Sequence, residues 1–199
     1  MKMTQPDALR RGFAALLLGA AGACTLPAPI AVVDPPAPVR HEIEDRGYDA
    51  QHYRITLSFP GLEPECDGEV ALRLRATRNI TQVLLDASDM TILSAVADGS
   101  SARFTHDGHA LTVFLPMPLP EGAEAEVRVA YRVSHPVAGL HFSLPGEFDV
   151  AGGVPQVFTQ GEDIRARYWF PCFDAPHDRA THDLVATVPL SWTTIGGGR

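Results

Sequence analysis

Clusters of basic residues are missing from this chain of 199 residues, which carries 16 Lys and Arg against 24 Asp and Glu for a net charge of -8. Its cations come in nothing longer than short pairs, so the electrostatic footprint of a nucleic-acid binder is absent and no nucleic acid is expected as a partner. Long hydrophobic runs are missing as well. The apolar stretch from Phe13 to Ala23 is too short to cross a bilayer as a helix. No longer segment shows the 3.6-residue stripe of an amphipathic helix, which argues against a helical fold. What remains is 45% hydrophobic and 20% charged, the make-up of one globular domain, neither disordered nor fibrous.

The amino terminus reads as an address. Lys2, Arg10 and Arg11 precede the Phe13 to Ala23 run, which suits the core of a secretory signal over residues 1–23. The run ends in Ala21-Gly22-Ala23-Cys24. Small residues before a cysteine resemble a bacterial lipobox, with Cys24 lipidated as the first mature residue, although Leu is usual where Ala21 stands. Arg10-Arg11-Gly12-Phe13 also looks like a twin-arginine export signal, and an ordinary cleaved signal peptide is the third reading. All three place the protein outside the cytoplasm, in the cell envelope or beyond it, with membrane attachment through Cys24 in the first.

Residues 24–41 contain five of the 17 prolines, a density that removes backbone donors and favours extended chain, so they form a tether. The folded domain is expected over residues 42–199. At its start, "HEIED" (His41 to Asp45) matches half of the zinc motif HExxH. Asp45 stands where the second imidazole must be, and the proline-rich approach provides no helix to carry the pair, so it is rejected as a metal site. If Cys24 takes lipid, Cys66 and Cys172 remain. They can pair in an oxidising compartment, but two free thiols are the favoured reading.

From Tyr48 onward the period is two. "GEVALRLRAT" sets Val70, Leu72 and Leu74 on one face against Arg73 and Arg75 on the other, the mark of a sheet with one wet face. "YDAQHYRITLSF", "AEVRVAYRV", "QVFT" and "HDLVATV" read as further strands. In "ARFTHDGHALTVFL", Asp107-Gly108 separates two runs and predicts a hairpin with a type I′ turn. Eight to ten short strands at close spacing imply an all-β fold, an antiparallel β-sandwich or curved, saddle-like sheet.

One stretch breaks this rhythm. "TQGEDIRARYWFPCFDAPHDRAT", residues 159–181, crowds seven acidic and basic side chains around an aromatic knot from Tyr168 to Phe173. Gly161 leaves room for backbone to approach a ligand. The aromatics beside proline are expected to fill core and hold the loop. His177 and His182 flank Asp178 and Asp183, but their spacing suits neither one helix face nor one strand face, and solvated or packed histidines are favoured over a metal site.

The segment resembles the N-terminal domain of the M1 family of zinc aminopeptidases, whose members have a TQ-x-E segment followed by AR-x-x-FPC-x-D-x-P and then a strand. "YDAQHYRITLSF" is similar to that family's opening strand, and the resemblance covers about residues 42–199. It implies that Gln160 and Glu162 face the cleft between this domain and the catalytic domain of the same enzyme, and help bind the free amino terminus of a peptide. The chemistry suits those residues. An α-ammonium seeks a carboxylate, and an amide can donate and accept toward neighbouring groups. Arg167 and Asp174 are expected to form a structural charge pair that fixes the loop. At position 182 the family commonly has an aromatic, so His182 departs from the pattern.

Family catalysis rests on a G-x-M-E-N segment and on HExxH with a further Glu, and none occurs in these residues. The expectation is therefore no catalytic residue and no metal ligand in this chain, with zinc held by a catalytic domain beyond it. The chain is also expected to be inactive alone, unfinished at its carboxyl-terminal end and less soluble than its composition suggests. The alternative reading is a non-catalytic secreted β-sandwich, either a binding domain or a structural lipoprotein.

Overall fold

The computed structural model describes residues 45–143 and 154–197; the candidate signal, Cys24 and the tether lie outside these residues. Eleven strands follow one another in the described chain: β1 (Tyr48–Ser58), β2 (Glu65–Ala76), β3 (Ile80–Asp86), β4 (Met90–Ala97), β5 (Ser100–Ser101), β6 (Phe104–His106), β7 (Ala110–Leu119), β8 (Glu124–Ser134), β9 (Leu140–Ser143), β10 (Gln156–Thr159) and β11 (Thr181–Thr187). Six of them make one sheet in the order β11-β1-β2-β8-β4-β5. A second sheet has the order β3-β7-β6, and β9 pairs with β10 alone. Every pairing is antiparallel except β1 with β11, which is parallel. The all-β class and the antiparallel sheets are those implied by the alternation.

The centre of the large sheet follows the period of two directly. Along β2, Cys66, Val70, Leu72, Leu74 and Ala76 are buried while Asp67, Glu69, Arg73 and Arg75 are exposed; β8 repeats the pattern with Ala125, Val127, Val129, Tyr131 and Val133 inside. These inward side chains form one core with Val83, Leu85, Leu111 and Val113 of the small sheet. Packing of this kind, at roughly 25 cal/mol per Å² of apolar surface removed from water, is the main stabilising term of such a domain. On the wet face the register sets Asp67 opposite Arg132 and Arg75 opposite Glu124. Both pairs close as ion pairs, at 2.7 and 2.6 Å, and being exposed each contributes no more than about 1 kcal/mol.

Gly68 sits opposite Tyr131, and a Cβ built on it would fall 2.2 Å from the tyrosine ring. Only glycine lets the fully buried ring lie across β2 at that point. Strand β1 departs from strict alternation. A bulge between Ala50 and His52 shifts its phase, so that Tyr48 and Ala50 are buried before it and Tyr53, Ile55 and Leu57 after it.

The hairpin at Asp107-Gly108 is present between β6 and β7, but its turn is not type I′. Gly108 alone has positive φ, +97°, and the loop holds three residues. Asp107 accepts the backbone N–H groups of His109 and Ala110 through Oδ1, at 2.9 and 2.7 Å, so its own backbone has no need of the left-handed region. These bonds also hold the Asp107 carboxyl below its ordinary pKa. The two-residue turn with positive φ at both positions lies instead at Asp98 (+47°) and Gly99 (+78°), joining β4 to β5. Cys66 and Cys172 are both buried and both free. Burial pushes the Cys66 thiol up to about 12 and the Cys172 thiol well above its ordinary range.

Candidate functional site

Strand β10 delivers the polar loop. It pairs with β9 in the register that puts Phe158 opposite His141, and the two rings stack at 5.0 Å. Immediately after β10 the Gln160 N–H donates to the Gly139 carbonyl at 2.8 Å, and the Arg165 N–H reaches back to the Gly161 carbonyl at 3.1 Å. The chain then winds into a single 3-10 turn, Ala166–Tyr168. Residues 160–165 are thereby folded into a short projection in which Gln160, Gly161, Glu162 and Asp163 are all exposed. Among the described residues no hydrogen bond or ion pair engages the side chain of Gln160 or Glu162.

Glycine is demanded at Gly139. Its φ is +74°, and a Cβ there would lie 2.2 Å from the Arg165 carbonyl oxygen, so the β8–β9 connection and the projection touch backbone to backbone. At Gly161 the nearest atom to such a Cβ is that of Ala166, 4.0 Å away. Among the described residues no contact asks for glycine at position 161.

Beneath the projection the loop is tied to the end of β3. Asp86 and Cys172 exchange backbone hydrogen bonds of 2.7 and 3.0 Å, and the Ser88 N–H donates to the Arg167 carbonyl at 2.9 Å. Arg167 and Asp174 come together. The guanidinium Nε stands 3.0 Å from Asp174 Oδ2, and the Arg167 N–H donates to the same oxygen at 3.2 Å. Arg167 Nη1 also lies 3.4 Å from Asp86, and Arg46 approaches Asp86 from the other side at 3.0 Å. Sequence reasoning missed Asp86 and Arg46. Neither belongs to the 159–181 stretch, and an Asp after "QVLL" gives no sign that it is buried.

The aromatic knot splits in two. Phe170, Cys172 and Phe173 are buried, while Tyr168 and Trp169 are half-buried. Phe170 meets Tyr53 edge-on at 5.7 Å, Phe173 lies 5.6 Å from Tyr48, and the Phe173 N–H donates to the Tyr53 hydroxyl at 3.0 Å. Arg46 caps the outer face of Phe173, 4.3 Å above its centroid. A cavity of about 320 Å³ remains between this layer and β1, lined in part by Ile55, Trp169, Phe173, Asp178 and His182. Burial raises the Asp178 carboxyl above its ordinary pKa. His182 and His177 are exposed, the latter with its ring edge-on to Phe173. Among the described residues no three His, Cys, Asp or Glu side chains are grouped so as to hold a metal ion.

The described residues thus form a β domain of three sheets whose loop after β10 leaves a carboxylate and an amide exposed. The chain belongs to the peptidase M1 N-terminal domain family, which it matches over residues 49–198. It is 30% identical over 126 residues to leucine aminopeptidase 2-2 of Scheffersomyces stipitis, covering 60% of this chain and 19% of that protein. It is 28% identical over 145 residues to aminopeptidase B of Rattus norvegicus, covering 71% of this chain and 22% of that protein. Among solved structures, the M1 zinc metallopeptidase of Deinococcus radiodurans superposes with a TM-score of 0.62 at 29% identity, over 74% of this chain and 34% of that one. A variant of the same Deinococcus enzyme bound to a Tyr-Ser-Ala substrate gives a TM-score of 0.58 at 27% identity, over 71% and 32%. The chain thus spans about a fifth of the length of these curated relatives and a third of these solved chains. The Deinococcus proteins are zinc metallopeptidases, and among the described residues of this chain no group of His, Cys, Asp and Glu could hold a metal ion.

Proposed function

We propose that this chain is the substrate-binding wall of an exported M1-type zinc aminopeptidase, with Glu162 receiving the free amino terminus of a peptide and Gln160 bonding to the groups beside it. The observation that carries this reading is the state of the loop. It is braced by backbone hydrogen bonds on both flanks, yet its carboxylate and its amide are exposed and engaged by no described partner. A carboxylate held in this way loses little entropy on meeting an α-ammonium, and gains strength when a second wall of the cleft removes water. The buried thiols and the paired Arg167 and Asp174 offer no comparable group. Zinc and its general base belong, in this reading, to a catalytic domain of the same enzyme. Export, and attachment to a membrane through a lipidated Cys24, follow from the signal-like start of the chain. The intact mass of the protein from its native host tests them, and a chain that begins at Met1 would count against both.

The site assignment is tested by kinetics of the full-length enzyme on an amino-acid anilide. Removing a desolvated carboxylate from its cationic partner costs about 2 to 5 kcal/mol, so Glu162→Ala should lower kcat/KM at least tens of times. An unchanged kcat/KM would refute the role.

A further inference from the structure

We infer that Asp86 is a positioning residue for the peptide-binding loop, an inference that rests on the role just proposed for Gln160 and Glu162. Asp86 ends β3, in the small sheet, and is 8% exposed. Its carboxylate takes four contacts from three residues in two segments that are far apart in sequence. Arg46 reaches both of its oxygens at 3.0 Å, Arg167 lies 3.4 Å from Oδ1, and the Asp174 N–H donates to Oδ2 at 2.9 Å. Arg46 is itself held, with Nη1 donating to the Leu84 carbonyl at 3.3 Å and its plane over Phe173. Two arginines and two aspartates therefore meet around one buried carboxylate, with Asp86 as the member that touches all the others.

The network grips both ends of the segment that follows the projection. Arg167 lies in the 3-10 turn that closes residues 160–165 from below, and Asp174 ends the aromatic knot. The main chain of Asp86 adds the two-way bridge to Cys172. If the carboxylate is lost, Arg167 keeps Asp174 but gives up Asp86, and the Asp174 N–H loses its charged acceptor. Charge-assisted bonds are about twice as strong as neutral ones, so the tie between β3 and the loop weakens at Arg167 and Asp174 together. Arg167 is the more exposed of the two arginines, with its side chain 23% exposed against 5% for Arg46. Loosening there frees the turn on which Glu162 is presented, without opening the β2–β8 core.

The test uses the chain itself with L-leucinamide as probe, followed by nuclear magnetic resonance. In Asp86→Asn, amide exchange at Gln160 and Arg165 should quicken at least tenfold, while exchange at Val70 and Val129 changes by a much smaller factor. Affinity for leucinamide should fall by up to about fivefold, the most that an exposed ion pair at Glu162 contributes. The double variant Asp86→Asn with Glu162→Ala should bind no more weakly than Glu162→Ala alone, because one group acts through the other. Arg46→Gln, which leaves Asp86 its contacts with Arg167 and Asp174, should move exchange and affinity in the same sense by a smaller factor and covers the case in which Asp86→Asn does not fold. Unchanged exchange at Gln160 and Arg165, or exchange that rises equally in loop and core, would overturn the positioning role. So would full leucinamide affinity in Asp86→Asn when Glu162→Ala has lost it. If Glu162→Ala binds leucinamide like the native chain, the reading of Glu162 falls and the exchange data alone judge Asp86.

Discussion

The β2–β8 pair and the loop from Gln160 to Asp174 are held by opposite means. The strands are fixed by apolar side chains that alternate along both, with Tyr131 filling the space at Gly68, and charges that lie outside, among them two solvent-screened pairs. The loop is fixed by buried and half-buried charges, by backbone bonds to Gly139, Asp86 and Ser88, two of them to Asp86, and by two buried phenylalanines, while Gln160 and Glu162 face solvent. The stability of the fold and the geometry of the loop thus draw on different interactions.

The sharpest way to break that separation is a cavity in the core. Leu72→Ala should cost about 2 to 5 kcal/mol of folding stability, seen as a lower midpoint of denaturant unfolding, with leucinamide affinity of the folded protein unchanged. A loss of affinity in the folded variant would show that loop and core are not independent. The reverse case is Gly139→Ala, which forces a side chain against the Arg165 carbonyl at a positive φ. It should cost about 1 to 3 kcal/mol and show itself in faster amide exchange at Gln160 before any change at Val129. Gln160→Ala should leave stability alone and reduce kcat/KM of the full-length enzyme by a factor set by a neutral hydrogen bond, about 0.5 to 1.5 kcal/mol.

The smallest effect is at Asp178. Its folded pKa is raised by burial, so below the ordinary carboxylate range both states are protonated and it costs nothing; as pH rises through the folded value, the native state must accept a poorly solvated charge and stability is lost. Asp178→Asn should therefore stabilise the chain at pH 7 by less than about 1 kcal/mol, since the site is partly open to solvent, and have no effect near pH 3. Melting curves at the two pH values check this. Stabilisation at pH 3 equal to that at pH 7 would refute the cause.

This division also explains what could be read in advance. Val70, Leu72 and Leu74 against Arg73 and Arg75 declare a half-buried strand because burial in a sheet is periodic, and the structure repeats that pattern residue for residue. β3 and β4 were illegible because bulges between Ile80 and Gln82 and between Ile92 and Ser94 break the period. The Asp-Gly signal marked a real hairpin at Asp107-Gly108, but a side-chain oxygen took over part of the turn, and the I′ geometry went to Asp98-Gly99. β11 reads as a strand from its alternation and is one, although all its residues are exposed and it runs parallel to β1. In the loop, Arg167 and Asp174 were legible as a pair seven residues apart. Asp86 and Arg46 were not, because a charge network assembled from distant segments leaves no local spacing to detect.

The central claim is that the loop presents Glu162 to an amino group, and the most direct measurement is ligand discrimination by that one charge. Affinities of the native chain and of Glu162→Ala are compared for L-leucinamide and for 4-methylpentanamide, which lacks only the α-ammonium. The native chain should prefer leucinamide by up to about fivefold, since an exposed ion pair contributes no more than about 1 kcal/mol, and Glu162→Ala should bind the two alike. Equal binding of both ligands by the native chain, or a preference that survives in Glu162→Ala, would contradict the account.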